Sequence, residues 1–167
     1  MRVSFIGLGV MGYPMAGHLK NKGFDVTVYN RTTEKARKWA QEYAGEFQET
    51  PARAAQESDI VFICVGNDDD LRSVVYGESG VLASMKPGSL IVDHTTTSAE
   101  VAREIHAKAK EQNVDFIDAP VSGGQAGAEN GVLTVMCGGD QAAFDKAQPV
   151  MAAFAKFSKL LGPVGAG

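Results

Sequence analysis

The stretch "FIGLGVMGYPM", positions 5–15, decides how the rest of the chain is read. It places Gly7, Gly9 and Gly12 in a G-x-G-x-x-G spacing, directly after an apolar run and at the start of a helix-like one. Each glycine has its own physical use in that setting. Gly7 permits a tight turn, Gly9 lets the backbone approach a pyrophosphate, and Gly12 allows close packing of helix on strand. Free N–H groups at the helix start attract the phosphates. A turn needed only for packing would look the same if the triplet stood alone. Here it lies in a strand, helix, strand unit of about 30 residues, the context that marks a dinucleotide loop with Leu8, Val10 and Met11 as its other members.

Working outward, short β-rich runs ("RVSFIG", "FDVTVYN", "DIVFICVG", "SLIVD") alternate with helix-like runs ("YPMAGHLKNKG", "TEKARKWAQEYAG"). That alternation predicts an α/β fold of the Rossmann type, a doubly wound and mostly parallel sheet with helices on both faces. The strands are continuously apolar, as strands covered on both sides must be. Thr32 or Thr33 is placed to cap the second helix and Gly45 to follow its end. Ser98 opens another helix, in which Val101, Ile105 and Ala109 form an apolar stripe at spacing four. Pro51, Pro87 and Pro149 are expected at element edges. After residue 112 come "VDFID", a glycine-rich loop, "VLTVMCGG", a helix-like "AAFDKAQPVMAAFA" and a last run "FSKLLG".

The length of 167 residues suits one domain, residues 1–167, with a sizeable core. Sixteen Lys and Arg against 20 Asp and Glu give a formal charge of -4 without a basic cluster, which argues against a nucleic-acid or anionic-membrane partner. The start "MRVSFIGLG" is too short an apolar run for a signal peptide or a membrane span. A cytoplasmic location is the expectation. Cys64 and Cys137 each sit inside an apolar run without C-x-x-C spacing or clustered His, so they read as buried free thiols, with no metal.

Candidate ligand residues fall at strand ends. The second strand closes on "NRT", and Asn30 stands where the fingerprint expects an acidic residue for the ribose 2′-hydroxyl. A neutral Asn30 removes repulsion toward a 2′-phosphate, and the planar fork of Arg31 can meet one, with Thr32 beside it. NADP is therefore expected in preference to NAD, the alternative being that Arg31 is a solvated surface charge. After the fourth strand, Val65, Gly66 and Asn67 fall at the ligand crevice, and Asp68, Asp69 and Asp70 favour the positive end of a helix. After the fifth, Thr96 either bonds the nicotinamide ribose or caps a helix, Ser98 reads as a cap, and His94 reads as packed or solvated rather than as a proton carrier. The stretch "DAPVSGGQAGAENG", residues 118–131, is either a linker or a loop shaped around a ligand, and composition favours neither.

Together "FIGLGVMGYPMAGHL", "DHTTTS", "DAPVSGGQAGAENGVLTVMCGGD" and "LLGPVGAG" resemble the β-hydroxyacid dehydrogenases, which include 3-hydroxyisobutyrate dehydrogenase, tartronate semialdehyde reductase and glyoxylate or succinic semialdehyde reductase. The match is end to end, and "NRT" looks like the NADP-using members. One departure is His18, where the family commonly has Asn. By this resemblance, "PVSGG" holds the substrate's carboxylate through the Ser122 hydroxyl and the N–H groups of Gly123 and Gly124. Converging donors of this kind are what a carboxylate needs.

The resemblance also implies a long helix beyond "GPVGAG", with an early Lys as general acid and base, then an all-helical domain that closes the cleft and builds a homo-oligomer. No Lys of this chain stands in that motif, and Lys156 and Lys159 read as surface charges. The expectation is thus a cofactor-binding half, poorly active or inactive alone, of an enzyme reducing a small semialdehyde acid. Three relatives stand as alternatives: an imine reductase, which shares the fold but replaces the Lys; a 6-phosphogluconate dehydrogenase; and a non-enzymatic NADP-binding module.

Overall fold

Alternation at the level of single residues builds the two layers of helix around the sheet. In β1 (Arg2–Ile6), β4 (Ile60–Ile63) and β5 (Leu90–Asp93), Phe5, Phe62 and Val92 face one layer, while Ile6, Val61, Ile63 and Ile91 face the other. All are buried, which explains why the strands lack polar alternation. The first layer takes α1 (Gly12–Asn21), α2 (Thr33–Tyr43), α6 (Gly124–Asn130) and α7 (Gln141–Met151). The second takes α3 (Pro51–Ala55), α4 (Asp68–Val75) and α5 (Ala99–Lys110). This computed structural model describes residues 1–167.

The sheet runs β3 (Glu46–Phe47), β2 (Asp25–Tyr29), β1, β4, β5, β6 (Asp115–Asp118), all parallel. The direction from β1 to β2 and the direction from β1 to β4 diverge, so the crevice at the carboxyl ends opens beside β1. Beyond β6 the pattern changes. Strand β8 (Leu133–Gly138) is antiparallel to β6 and to β7 (Val121–Ser122), and β9 (Ala155–Gly162) joins β8 in parallel. Asp118 pairs with Gly138, Val121 with Val135 and Ser122 with Thr134 in one register. Strands β6 and β7 are therefore a single strand interrupted at Ala119 and Pro120, and Pro120, which has no N–H, still accepts from Met136 N at 3.2 Å. This extension carries Ser122 past the edge of the parallel sheet.

Several local expectations need correction. Residues 118–131 are not a plain loop, since they hold β7 and the helix α6, whose Gln, Ala and Glu are good helix formers and whose end is turned by Gly131 at φ 68°. The left-handed residue after α2 is Ala44 at φ 56°, not Gly45, and Thr32 sits at the N-cap without a side-chain cap bond. Pro149 lies inside α7 rather than at an edge, tolerated because the helix ends two residues later at Met151. Ser98 does cap α5, accepting from Val101 N at 3.2 Å, and Asn67 caps α4 through Asp70 N at 2.8 Å.

Candidate functional site

The three glycines of the first turn stand in different surroundings. Gly7 has φ 102°, and a side chain there would collide with the Cys64 carbonyl. A side chain on Gly12 would strike the Gly7 carbonyl and approach Phe5. Gly9 differs: its φ is not positive, and an added Cβ would meet no protein atom within 4 Å. Packing thus accounts for Gly7 and Gly12 and leaves Gly9 unexplained by the protein itself. The N–H groups of Gly9, Val10 and Met11 donate to no protein acceptor, and α1 has no side-chain cap. A row of unpaired N–H groups beside a helix start is a ready anion cradle.

Asn30 has a role that the sequence did not reveal. Its Oδ1 accepts from Leu8 N at 2.9 Å and its Nδ2 donates to Thr32 O at 3.2 Å, tying the end of β2 to the glycine turn. The turn opens on a cleft of about 640 Å³. Gly7, Leu8, Gly9, Val10, Met11, Gly12, Asn30, Arg31, Thr32, Val65 and Gly66 all line it, joined by Tyr29, Cys64, Asp70 and Val74 among others. Arg31 is 88% exposed at its side chain, and its Nη1 lies 4.0 Å from Asp70 Oδ1. Cys64 is half-buried and lines the cleft, which corrects the expectation of two fully buried thiols; Cys137 is buried. Burial, with the charge of Asp93 added, pushes the Cys64 thiol up to about 12, so it stays protonated.

The far wall is braced from beneath. Val65 N donates to Thr95 Oγ1 at 3.1 Å, and Thr95 N donates to Asp93 Oδ1 at 3.0 Å, so two buried side chains at the end of β5 fix the loop after β4. Burial raises the Asp93 carboxyl to about 7, although hydrogen bonds from Thr95 pull the other way. Neighbouring His94 is buried, stacks on Phe62 with ring centroids 5.8 Å apart, and bonds Ala119 O from Nδ1 at 2.6 Å. Burial lowers it to about 4, leaving a neutral core histidine. Thr96 is exposed and outside the lining of the cleft.

Ser122, Gly123 and Gly124 also lie outside that lining, exposed at the junction of β7 and α6. Gly123 and Gly124 both have positive φ, 128° and 62°, and their N–H groups have no protein acceptor. Two supports hold this junction. His18 must carry its proton on Nε2, because that atom reaches the carbonyl oxygens of Ala128 and Glu129, both at 2.9 Å. Asp118, just before the junction, accepts from Gly165 N at 2.7 Å and Gly167 N at 2.8 Å. Lys156 and Lys159 are exposed on β9, as expected of surface charges.

Residues 2–162 match the model of the NAD binding domain of 6-phosphogluconate dehydrogenase. The chain belongs to this family. Among its curated relatives, an uncharacterized oxidoreductase of Shewanella frigidimarina is 63% identical over 99% of this chain and 57% of its own length. A probable 3-hydroxyisobutyrate dehydrogenase-like protein of Arabidopsis thaliana, mitochondrial, is 40% identical over 99% of this chain and 55% of its own. The chain thus spans about half the length of the curated relatives it matches. The structure of 3-hydroxyisobutyrate dehydrogenase from Mycobacterium tuberculosis with L-serine superposes with a TM-score of 0.92 at 32% identity, covering 99% of this chain and 56% of that one. An imine reductase of Myxococcus stipitatus with NADP+ superposes at 0.88 with 22% identity, a likeness of fold alone. No helix of the chain is long and apolar enough to cross a membrane.

Proposed function

We propose that this chain is the cofactor-binding half of a cytoplasmic, NADPH-preferring enzyme that interconverts a small semialdehyde acid and its hydroxyacid. The observation that carries the reading is Gly9. The fold has no need of glycine there, and its absent side chain leaves the backbone open to a ligand in the cleft; a pyrophosphate held by the N–H groups of Gly9, Val10 and Met11 fits that opening. Asn30 leaves the ribose end without a carboxylate of its own, and the exposed Arg31 offers a planar fork to a 2′-phosphate. Ser122, Gly123 and Gly124 supply a hydroxyl and two unpaired N–H groups to the substrate carboxylate, in keeping with a relative solved with L-serine, itself a hydroxy carboxylate.

A bound reduced nicotinamide supplies the hydride that converts the aldehyde carbon to the alcohol. What these residues do is hold the two reactants: the glycine turn and the Val65–Gly66 wall fix one, and the Ser122 junction orients the other by its carboxylate. The general acid that protonates the developing alkoxide belongs, on this reading, to a Lys following residue 167 in the parent protein. The chain alone binds cofactor and turns over at least about 10² times more slowly than that parent.

Fluorescence titration of NADPH and NADH tests the cofactor half. Arg31→Ala is expected to weaken NADPH by about tenfold or more and NADH far less; equal losses for both would refute the preference. In the full-length protein, Ser122→Ala is expected to raise KM for the carboxylate substrate with little change in NADPH affinity.

A further inference from the structure

Only two of the residues lining the cleft carry a charge, Arg31 and Asp70, and they face each other. Asp70 does not stand there to cap its helix. That work is done by Asn67, whose Oδ1 accepts from Asp70 N at 2.8 Å. The carboxylate of Asp70 lies instead over the bare backbone of Gly66, where an added Cβ would sit 2.8 Å from Oδ2, and its other oxygen points toward Arg31. Its side chain is 37% exposed, so it is neither a freely solvated surface charge nor a buried structural one.

We infer that Asp70 is a specificity-determining residue that restrains the preference for NADP by sharing the guanidinium of Arg31. The inference rests on the proposal that Arg31 receives the 2′-phosphate. Before it can do so, Arg31 has to turn from Asp70, and the phosphate, with a charge of about -2 at slightly alkaline pH, is then held within reach of a like charge. The 2′-hydroxyl of NAD carries no charge and meets neither cost. Cofactor choice is thereby set by the pair, a cation that favours the phosphate and an anion that subtracts from the gain, and not by Arg31 alone. The separation of 4.0 Å, with both partners solvent-accessible, makes the subtraction modest and dependent on salt.

The test is the ratio of NADH to NADPH dissociation constants, measured on this chain by fluorescence titration at a pH where the 2′-phosphate is fully ionised. Asp70→Asn is expected to raise that ratio about five- to tenfold in dilute buffer. The gain should shrink to about twofold or less in about 0.5 M salt. Asp70→Ser, which removes the charge with a smaller side chain, should do the same, and the unfolding midpoint of each variant reports whether the fold is intact. Combining Arg31→Ala with Asp70→Asn should abolish the gain, because the cation that Asp70 restrains is then gone. A ratio unchanged or lowered in both Asp70 variants, while Arg31→Ala still weakens NADPH selectively, overturns this inference and leaves the proposed cofactor preference standing. If Arg31→Ala shows no selectivity either, it is the preference for NADP that fails.

Discussion

Replacing Gly9 with Ala separates binding from folding. At Gly9 an added Cβ meets nothing and φ is not positive, so the folded state accepts the methyl without strain. The unfolded chain meanwhile loses conformational freedom, which stabilises the protein by about 0.4–1 kcal/mol. For a chain of 167 residues that amounts to a midpoint shift of about +1 to +4 °C. Gly12→Ala has the opposite effect, because its methyl runs into the Gly7 carbonyl; overpacking of this kind costs about 1–3 kcal/mol and lowers the midpoint. The effect on cofactor reverses the order of severity relative to stability. A methyl at Gly9 holds a pyrophosphate off the N–H groups of Gly9, Val10 and Met11, and losing one charge-assisted hydrogen bond costs about 1.5–3 kcal/mol, or about 10- to 150-fold in Kd. Thermal unfolding with and without NADPH reads both quantities in one experiment. The wild type should gain stability with ligand, while Gly9→Ala should be at least as stable unliganded and gain much less. If Gly9→Ala binds NADPH with unchanged affinity, or is destabilised as much as Gly12→Ala, the reasoning that assigns Gly9 to the ligand is refuted.

Two further outcomes follow from buried groups. Asp93, raised to about 7, is destabilising once pH exceeds its unfolded value of about 3.9, because folding then requires a carboxylate to stay protonated or be buried charged; the cost grows as pH rises to about 7. His94, lowered to about 4, acts the other way, with its stability present above about 6.5 and lost as pH falls toward about 4. The two nearly oppose each other between pH 4 and 7 in the native protein, so Asp93→Asn, which keeps the acceptor for Thr95 N, should raise stability at about pH 8 relative to wild type and leave a steeper acid loss, measured by urea unfolding across pH. An equal change at every pH would contradict this account. Asp118→Ala removes the acceptor of two backbone N–H groups, and hydrogen exchange at Gly165 and Gly167 should accelerate well before global stability falls; unchanged protection there would show that the turn is held by other means.

The glycine triplet, the alternating runs and the continuous apolar strands were legible because each obeys a local rule. Turn geometry needs glycine in a fixed place, a helix needs its period, and a strand covered on both faces needs apolar residues at every position. The alternation of elements and the parallel class of the five long apolar strands β1, β2, β4, β5 and β6 follow from these rules, while the two-residue β3 and the short α3 left no such run. The cap at Ser98 and the roles of Gly7 and Gly12 follow from them as well, whereas Asn67, which read as part of the crevice, lies outside the lining of the cleft and caps α4 instead. What the chain alone left open at residues 118–131 was open for a physical reason. Small residues serve a linker, a ligand loop or a short helix equally well, and only pairing with β8 shows that β6 continues into β7 before the chain turns into α6. Asn30 read as a gap where a carboxylate might have stood, whereas its hydrogen bond to Leu8 N makes it a brace of the turn. Asp70 read as one of three acids at a helix start, and its approach to Arg31 depends on the loop after β2 and the first turn of α4, 39 positions apart from 31 to 70, meeting across the cleft. His18 and Asp118 likewise gain their partners, 110 and 47 positions away, only on folding. Local conformational preference is written residue by residue, so sequence by itself determined the longer elements and the cofactor turn. Which polar groups meet depends on how those elements pack, and the tertiary structure alone decided the braces, the charge pair and the shape of the cleft.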